Sequence, residues 1–77
     1  MQTTTEQRIA AEINLLQFVI DNMPISDIVT EKRVFLGSDG SYKALLFDID
    51  GNYYLYNLGN DINDTIKVLE TIKEEWS

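Results

Sequence analysis

Two Asp–Gly dipeptides in the middle of the chain constrain its fold more than any other feature of the sequence. Asp39–Gly40 and Asp50–Gly51 each lie between short apolar runs. A two-residue type I′ turn needs positive φ at both central positions, and Asp–Gly is one of the dipeptides that such turns favour. The two dipeptides therefore predict a meander of three antiparallel strands.

The turn type also predicts how the strands pair, because the residues flanking a two-residue turn face each other. We expect Ser38 to pair with Ser41, and Ile49 with Asn52. Since side chains alternate between the two faces of a strand, counting outward from these pairs assigns each residue to a face. One face would carry Val34, Leu36, Leu45, Phe47, Tyr54, Tyr56 and Leu58. The other would carry Phe35, Tyr42, Ala44, Leu46, Asp48, Tyr53, Leu55 and Asn57.

The segment before the meander, from about Thr5 to Asn22, has helical periodicity. Pro24 is expected to end this helix, because proline pushes the preceding residue away from helical geometry. One of the threonines can cap its start, and Glu6 lies in its first turn. Apolar residues recur at intervals of three and four, at Ile9, Ile13, Leu16, Ile20 and Met23.

The segment after Gly59 predicts a second helix, with Asn60 or Asp61 as its N-cap. Its apolar stripe would comprise Ile62, Ile66, Leu69, Ile72 and Trp76. The whole chain is thus predicted to be one α+β domain over residues 1–77, with the order helix, three-stranded antiparallel β-meander, helix (αβββα). We expect residues 1–4 to be disordered.

The composition excludes several classes of function. The 77 residues include no histidine and no cysteine, which removes thiol and imidazole catalysis and zinc sites of the usual kinds. A net charge of −7 argues against binding a nucleic-acid backbone, which needs clustered Lys and Arg. No apolar run approaches the roughly 18 residues of a membrane span. No secretory signal is visible, so we expect a cytoplasmic protein. The missing histidine and cysteine favour binding over catalysis, and we expect no enzyme activity, metal or cofactor.

Asp48 and Asp50 invite two catalytic or metal interpretations. They resemble half of a calcium loop, but a strand follows where further ligands would be needed. They could also form a carboxylate pair like that of a glycosidase, but so small a meander offers little cleft between them. A plain hairpin turn is the favoured interpretation. The four tyrosines are interpreted as structural, because a nucleic-acid stacking platform would need a basic groove beside it.

The acidic residues in turns, caps and the last helix predict a docking surface. A negatively charged rim can complement a basic surface on a protein partner, including a DNA-binding groove in which carboxylates replace phosphates. The alternative interpretation is a solubilising surface without a partner. The candidate partner-binding residues are Asp39, Asp48, Asp50, Asn52, Glu70, Glu74 and Glu75.

An apolar sheet face is the alternative partner-binding surface. If both helices cover the face that carries Leu45 and Phe47, the opposite face stays open to water; helices on opposite faces would cover it. The first helix adds surplus apolar residues at Ala11, Leu15 and Phe18. Such patches mark partner surfaces, so the chain would be a monomer or a homodimer. The candidate residues of this open face are Phe35, Leu46, Tyr53 and Leu55.

The order of elements resembles that of small acidic phage-encoded anti-CRISPR proteins that inhibit Cas9 of type II-A systems. The local resemblance lies in Asp50-Gly51-Asn52 at the second hairpin, a Tyr-containing strand, and a helix that ends in Trp76. It implies a DNA mimic of viral origin acting in the host cytoplasm, with Asp50 and Asn52 contacting arginines where the nuclease reads its duplex motif. The further acidic helix of those inhibitors has no counterpart in the 77 residues.

Overall fold

A helix, three antiparallel strands and a second helix follow one another in the computed structural model, which describes residues 4–77. The elements are α1 (Thr5–Asp21), β1 (Val29–Leu36), β2 (Tyr42–Asp48), β3 (Tyr53–Gly59) and α2 (Ile62–Glu75). The strands form one sheet in the order β1-β2-β3. The predicted αβββα fold is confirmed. Of the residues expected to be disordered, 1–3 lie outside the described range and Thr4 is the N-cap of α1.

Side-chain caps fix the start of each helix. At α1 the Thr4 hydroxyl accepts a hydrogen bond from the backbone N–H of Gln7, and the Gln7 side chain accepts one from the Thr4 N–H. This reciprocal capping box satisfies two donors that the first turn leaves without helical partners. At α2 the Asp61 carboxylate accepts from the Asn63 N–H at 2.8 Å, so Asp61 rather than Asn60 is the cap.

Both helices pack on the same face of the sheet. From the helices, Leu16 and Ile20 of α1 and Leu69 and Ile72 of α2 are buried. Burial of large aliphatic side chains supplies most of the favourable free energy of a domain this small. The opposite face of the sheet has no helix against it in the described part of the chain. The strand residues of the core are Val34, Tyr42, Ala44, Leu46 and Leu58.

The hairpins close with three-residue loops, and the predicted two-residue type I′ turns are wrong. Gly37 N–H donates to the Ser41 carbonyl at 2.8 Å, and Asp48 N–H donates to the Asn52 carbonyl at 3.0 Å. A type I′ turn would require positive φ at the aspartate as well as at the glycine. In the described residues positive φ occurs only at glycines, among them Gly40 (84°) and Gly51 (83°).

The longer loops shift the strand register by one residue, so that β2 presents the opposite face to the one predicted. Val34 pairs with Ala44, and Ala44 with Tyr56. Because the side-chain period is two, the shift moves every β2 side chain relative to its neighbours. Leu46 therefore points into the core, and Leu45 and Phe47 point away from the helices.

The apolar stripe of α1 is confirmed, and that of α2 needs one correction. Thr65 is buried in place of Ile66, whose side chain is 41% exposed. The spacing from Thr65 to Leu69 and Ile72 continues a regular helical stripe, whereas Ile66 lies one residue further round the helix. The Thr65 hydroxyl can be buried because it donates to the Ile62 carbonyl at 2.7 Å.

Candidate functional site

Three stretches that are distant in sequence meet at one end of the molecule. They are the last turn of α1 with residues 22–28 that follow it, the end of β2 with the β2–β3 loop, and the last turn of α2. The Ser26 N–H donates to the Trp76 carbonyl at 2.6 Å, which joins the segment after α1 to α2. The Ile49 N–H donates to the Ile28 carbonyl at 3.0 Å, which joins the same segment to the β2–β3 loop.

These three stretches carry six carboxylates and one basic side chain, Lys73. Both helices also direct their C-termini, the negative ends of the helix dipoles, towards this end. The charge of the chain is therefore concentrated here, and we call this surface the acidic end. Its carboxylates belong to Asp21, Asp27, Asp48, Asp50, Glu74 and Glu75.

Asp48 organises the β2–β3 loop. Its Oδ1 accepts hydrogen bonds from the backbone N–H groups of Asp50 and Asn52, both at 2.9 Å. Its Oδ2 accepts from the Asn52 side-chain amide at 3.2 Å and from the Tyr54 hydroxyl at 3.1 Å. Partial desolvation opposes ionisation of this carboxyl, but the hydrogen bonds from Asn52, Tyr54 and Asp50 outweigh it and lower the pKa of Asp48. Asp48 thus supports the loop and has little capacity left for a partner.

Asp50 lies at the tip of the same loop and differs from Asp48 in its bonding. Its backbone N–H is held by Asp48. Its exposed carboxylate accepts no hydrogen bond from residues 4–77. Asn52 donates both its backbone and its side-chain N–H to Asp48, which leaves its amide oxygen facing outward as an acceptor. Asp50 is therefore a free acceptor on a loop whose backbone is fixed.

An aromatic cluster fixes the last turn of α2 beside this loop. The Trp76 indole N–H donates to the Tyr56 hydroxyl at 2.9 Å, and that hydroxyl donates to Glu75 Oε2 at 2.9 Å. The Tyr54 and Trp76 rings meet edge to face, with centroids 4.9 Å apart. Burial, with the hydrogen bond to Glu75, raises the pKa of Tyr56, and the hydrogen bond to Asp48 raises that of Tyr54. The apolar spacing of α2 predicts Trp76 in the helix stripe, but it does not predict this cluster, which depends on β3 lying beside α2.

The other predicted acidic residues do not join this surface. Asp39 lies in the β1–β2 loop at the opposite end of the sheet, and its carboxylate accepts from the Ser41 hydroxyl, the Ser41 N–H and the Lys43 ammonium. These bonds hold the pKa of Asp39 far below its usual value. Glu70 is exposed on α2, one turn before Glu74. The acidic residues therefore form one pole with scattered outliers instead of a continuous rim.

The sheet face away from the helices is a second candidate surface, and we call it the open sheet face. Its most exposed hydrophobic residues are Tyr53 (70%) and Leu55 (59%). The predicted member Leu46 is wrong, because it is fully buried in the core after the one-residue shift of β2. The apolar members of the open sheet face are Phe35, Leu45, Phe47, Tyr53 and Leu55, and the register places Glu31, Arg33, Lys43 and Asn57 on the same face.

The outer side of α1 has a smaller apolar patch. Leu15, Phe18 and Ala11 are exposed, as their position off the main stripe predicts. Isolated apolar residues on a surface are common and need no partner.

A cleft of about 540 Å³ lies between α1, the β1–β2 loop and the start of α2. Arg8 and Asn60 lie on its walls, and the Tyr42 hydroxyl donates to the Glu12 carboxylate at its base. Burial, together with this bond, raises the pKa of Tyr42 to about 12. No three acidic side chains within residues 4–77 are grouped as ligands of a metal ion would be.

Neither of the two described helices is long and apolar enough to cross a membrane. No protein-family model, curated protein or solved structure matches this chain.

Proposed function

We propose that this chain is a small non-catalytic binding protein that docks its acidic end on a basic surface of a partner protein and inhibits the partner by occupying that surface. The observation that carries the proposal is the meeting of six carboxylates from three separate stretches of the chain at one end. Like charges within a Debye length, about 8 Å at physiological salt, repel one another. A basic partner would relieve that repulsion and would be attracted from a distance.

The rigidity of the acidic end supports the proposal. Asp48 fixes the backbone that presents Asp50, and Tyr56 fixes the carboxylate of Glu75. Groups that are ordered before binding lose less conformational entropy when they bind. The acidic end therefore has the features of a surface prepared for charge-assisted hydrogen bonds to arginine or lysine.

A DNA-binding groove is the proposed class of target. Such a groove presents arginines and lysines to phosphates, and exposed carboxylates can take the place of the phosphates. The resemblance at Asp50-Gly51-Asn52 points to a nuclease of a bacterial defence system, and hence to action in the cytoplasm of a host cell. The chain itself, with a net charge of −7, would be repelled by the nucleic acid that it replaces.

Calorimetric titration of a type II-A Cas9–guide RNA complex tests the proposal. We expect binding that weakens steeply as salt rises. Asp50→Lys should lower the affinity by about tenfold or more, because it replaces a carboxylate acceptor with a positive charge that the basic partner repels. The matched control is Asp64→Lys, which makes the same change of charge at the start of α2, remote from the acidic end. It should weaken binding far less.

Two results separate the target from the mode of docking. If Cas9 does not bind, the target class is wrong, and the same two variants are then compared on the partner captured from the native host. If affinity for a bound partner is the same at low and high salt and survives Asp50→Lys, docking through the acidic end is wrong.

A second candidate function is an interaction module that packs its open sheet face against the same face of a second copy. The placement of both helices on the other side of the sheet favours it, because Tyr53 and Leu55 stay exposed. The charged side chains of this face are paired, since Arg33 bonds Glu31 at 2.7 Å and Lys43 bonds Asp39 of the β1–β2 loop at 3.1 Å. Two copies could therefore approach there without net repulsion.

Light scattering tests this second candidate. Phe35→Lys, on the β1 side of the face, should convert a dimer into a monomer, and Ile66→Lys on the exposed side of α2 serves as the control. A wild-type protein that is monomeric at millimolar concentration would exclude the module.

A further inference from the structure

The two edges of the sheet differ in whether their backbone groups are occupied. In an antiparallel pair, residues alternate between those bonded to the neighbouring strand and those whose N–H and C=O point away from it. Asp48 bonds Asn52 across the β2–β3 loop. Counting from that pair, Tyr53, Leu55 and Asn57 direct their N–H and C=O groups away from β2, towards the outer edge of β3.

The outer edge of β1 is protected. The side-chain amide of Gln17 bonds the outward C=O of Lys32 and the outward N–H of Val34. β1 also carries three consecutive charged residues, Glu31, Lys32 and Arg33. Charged side chains and a covering group are devices by which proteins prevent unwanted pairing at an edge strand.

The outer edge of β3 has none of these devices. The strand contains no charged residue and no proline, and its sequence is YYLYNLG. Among residues 4–77 no hydrogen bond is made to the outward N–H or C=O of Tyr53 or Leu55. These two residues are also the most exposed hydrophobic residues of the strand. β3 is therefore a free edge that can accept another strand.

We infer that β3 pairs antiparallel with β3 of a second copy of this chain, with the two-fold axis at Leu55, to form a six-stranded sheet. The charge of the chain is the reason to expect a second copy at this edge. In a chain of net charge −7, β3 is an uncharged strand, so two copies can approach there without repulsion between charged side chains of the paired strands. Antiparallel pairing puts Tyr53 beside Asn57 of the second copy. It also puts the two acidic ends at opposite ends of the joined sheet, whereas parallel pairing would bring them together.

The pairing leaves the acidic ends and both open sheet faces uncovered. It is therefore independent of the proposed inhibitor function, and it differs from the face-to-face module in the groups that become buried. In the paired state, outward backbone groups of β3 gain partners. In the face-to-face state they stay exposed to water.

Amide hydrogen exchange measured residue by residue by NMR tests the inference. As concentration rises into the range where sedimentation detects a dimer, exchange at Tyr53, Leu55 and Asn57 should slow by about tenfold or more, because paired amides exchange only on dissociation. The amides of Tyr54 and Tyr56, already bonded to β2, should be protected at every concentration. A protein that stays monomeric, or a dimer in which the three outward amides exchange freely, would overturn the inference.

Edge variants give a second measurement. Leu55→Pro removes an outward N–H and leaves the bonds between β3 and β2, and proline is tolerated at that position of an edge strand. Leu55→Lys places a charge on the two-fold axis if the proline variant fails to fold. Either should abolish the dimer, whereas Lys32→Pro on the β1 edge should retain it. Leu55 also lies on the open sheet face, so Phe35→Lys, which is remote from the β3 edge, separates the two modes and should retain the dimer. If Phe35→Lys also dissociates the dimer, or if the dimer survives the Leu55 variants, the inference is wrong.

Discussion

The side-chain amide of Gln17 lies beside Val34 where the peptide group of a neighbouring strand would lie. Its Oε1 accepts from the Val34 N–H at 2.8 Å, and its Nε2 donates to the Lys32 carbonyl at 2.9 Å. Nε2 also donates to the Asp21 carboxylate at 2.9 Å, which orients the amide. A helix residue thus completes the sheet edge and ties α1 to β1.

Replacement of Gln17, a half-buried polar residue within an apolar stretch of α1, should therefore destabilise the fold. Gln17→Ala leaves two partly buried backbone groups without partners, and we expect a loss of about 1–3 kcal/mol in the free energy of unfolding. Asn14→Ala, on the exposed side of the same helix, should change it little. Urea denaturation measures both. Equal effects of the two variants would contradict the role of the Gln17 amide.

The positive φ of the glycines in the two hairpin loops predicts that their substitution destabilises the protein. A Cβ at Gly40 or Gly51 would meet no atom within 4 Å, so the cost of Gly51→Ala comes from backbone conformation alone. We expect about 1–2 kcal/mol for alanine and less for asparagine, which tolerates positive φ. Ser38→Ala in the other loop, at ordinary φ, is the control for thermal unfolding. A neutral Gly51→Ala would show that residue 51 does not need positive φ.

The bonding of Asp48 predicts a dependence of stability on acid pH. Its pKa is lower in the folded protein than the ordinary value of 3.8, so its stabilising effect is present above that value and is lost as pH falls through the folded pKa. Asp48→Ala should destabilise the protein at pH 7, and its difference from the wild type should shrink on acidification. Asp50→Ala should have little effect at either pH. Urea titrations at several pH values below 5 measure the difference in the free energy of unfolding between Asp48→Ala and the wild type. A difference that stays constant with pH would show that the hydrogen bonds to Asp48 are unimportant.

The raised pKa of Tyr42 predicts that the stability of the fold decreases at alkaline pH. Its pKa is raised from 10.0 to about 12, so the folded state holds the phenol proton more strongly than the unfolded state. The resulting stabilisation is complete below pH 10 and is lost as pH rises through 12, by about 2–3 kcal/mol at about 1.4 kcal/mol per pKa unit. Tyr42→Phe should lose less stability over that window. A parallel decline of wild type and variant would rule out Tyr42 as the cause.

The sequence predicts the type and order of the elements but not the pairing of the strands. Alternation within β2 correctly separates Leu45 from Leu46. The relation between strands depends on the loop, and Asp–Gly fits both a two-residue turn and a three-residue loop that ends in a left-handed glycine. Only the negative φ of the aspartates distinguishes the two. A two-residue turn shifts the predicted register by one residue, and this shift is why the sequence predicts Leu46 on the open sheet face.

The candidate site could be predicted only in part, because it depends on the path of the chain in space. Asp50, Asn52 and Glu75 were identified as residues of turns and helix ends. Asp21 and Asp27 were missed because their proximity to Asp50 depends on α1 and β1 running antiparallel. Asp39 was included because it belongs to the same dipeptide as Asp50, yet it lies at the other end of the sheet.

The position of Trp76 has an experimental consequence. It is the only tryptophan of the chain, and it bonds Tyr56 and contacts Tyr54 beside the loop that presents Asp50. Its fluorescence therefore reports on the acidic end without any added label. Docking of a partner should shift its emission, and energy transfer from the neighbouring tyrosines should disappear when α2 detaches. One native chromophore can thus follow binding and folding of this surface in the same sample.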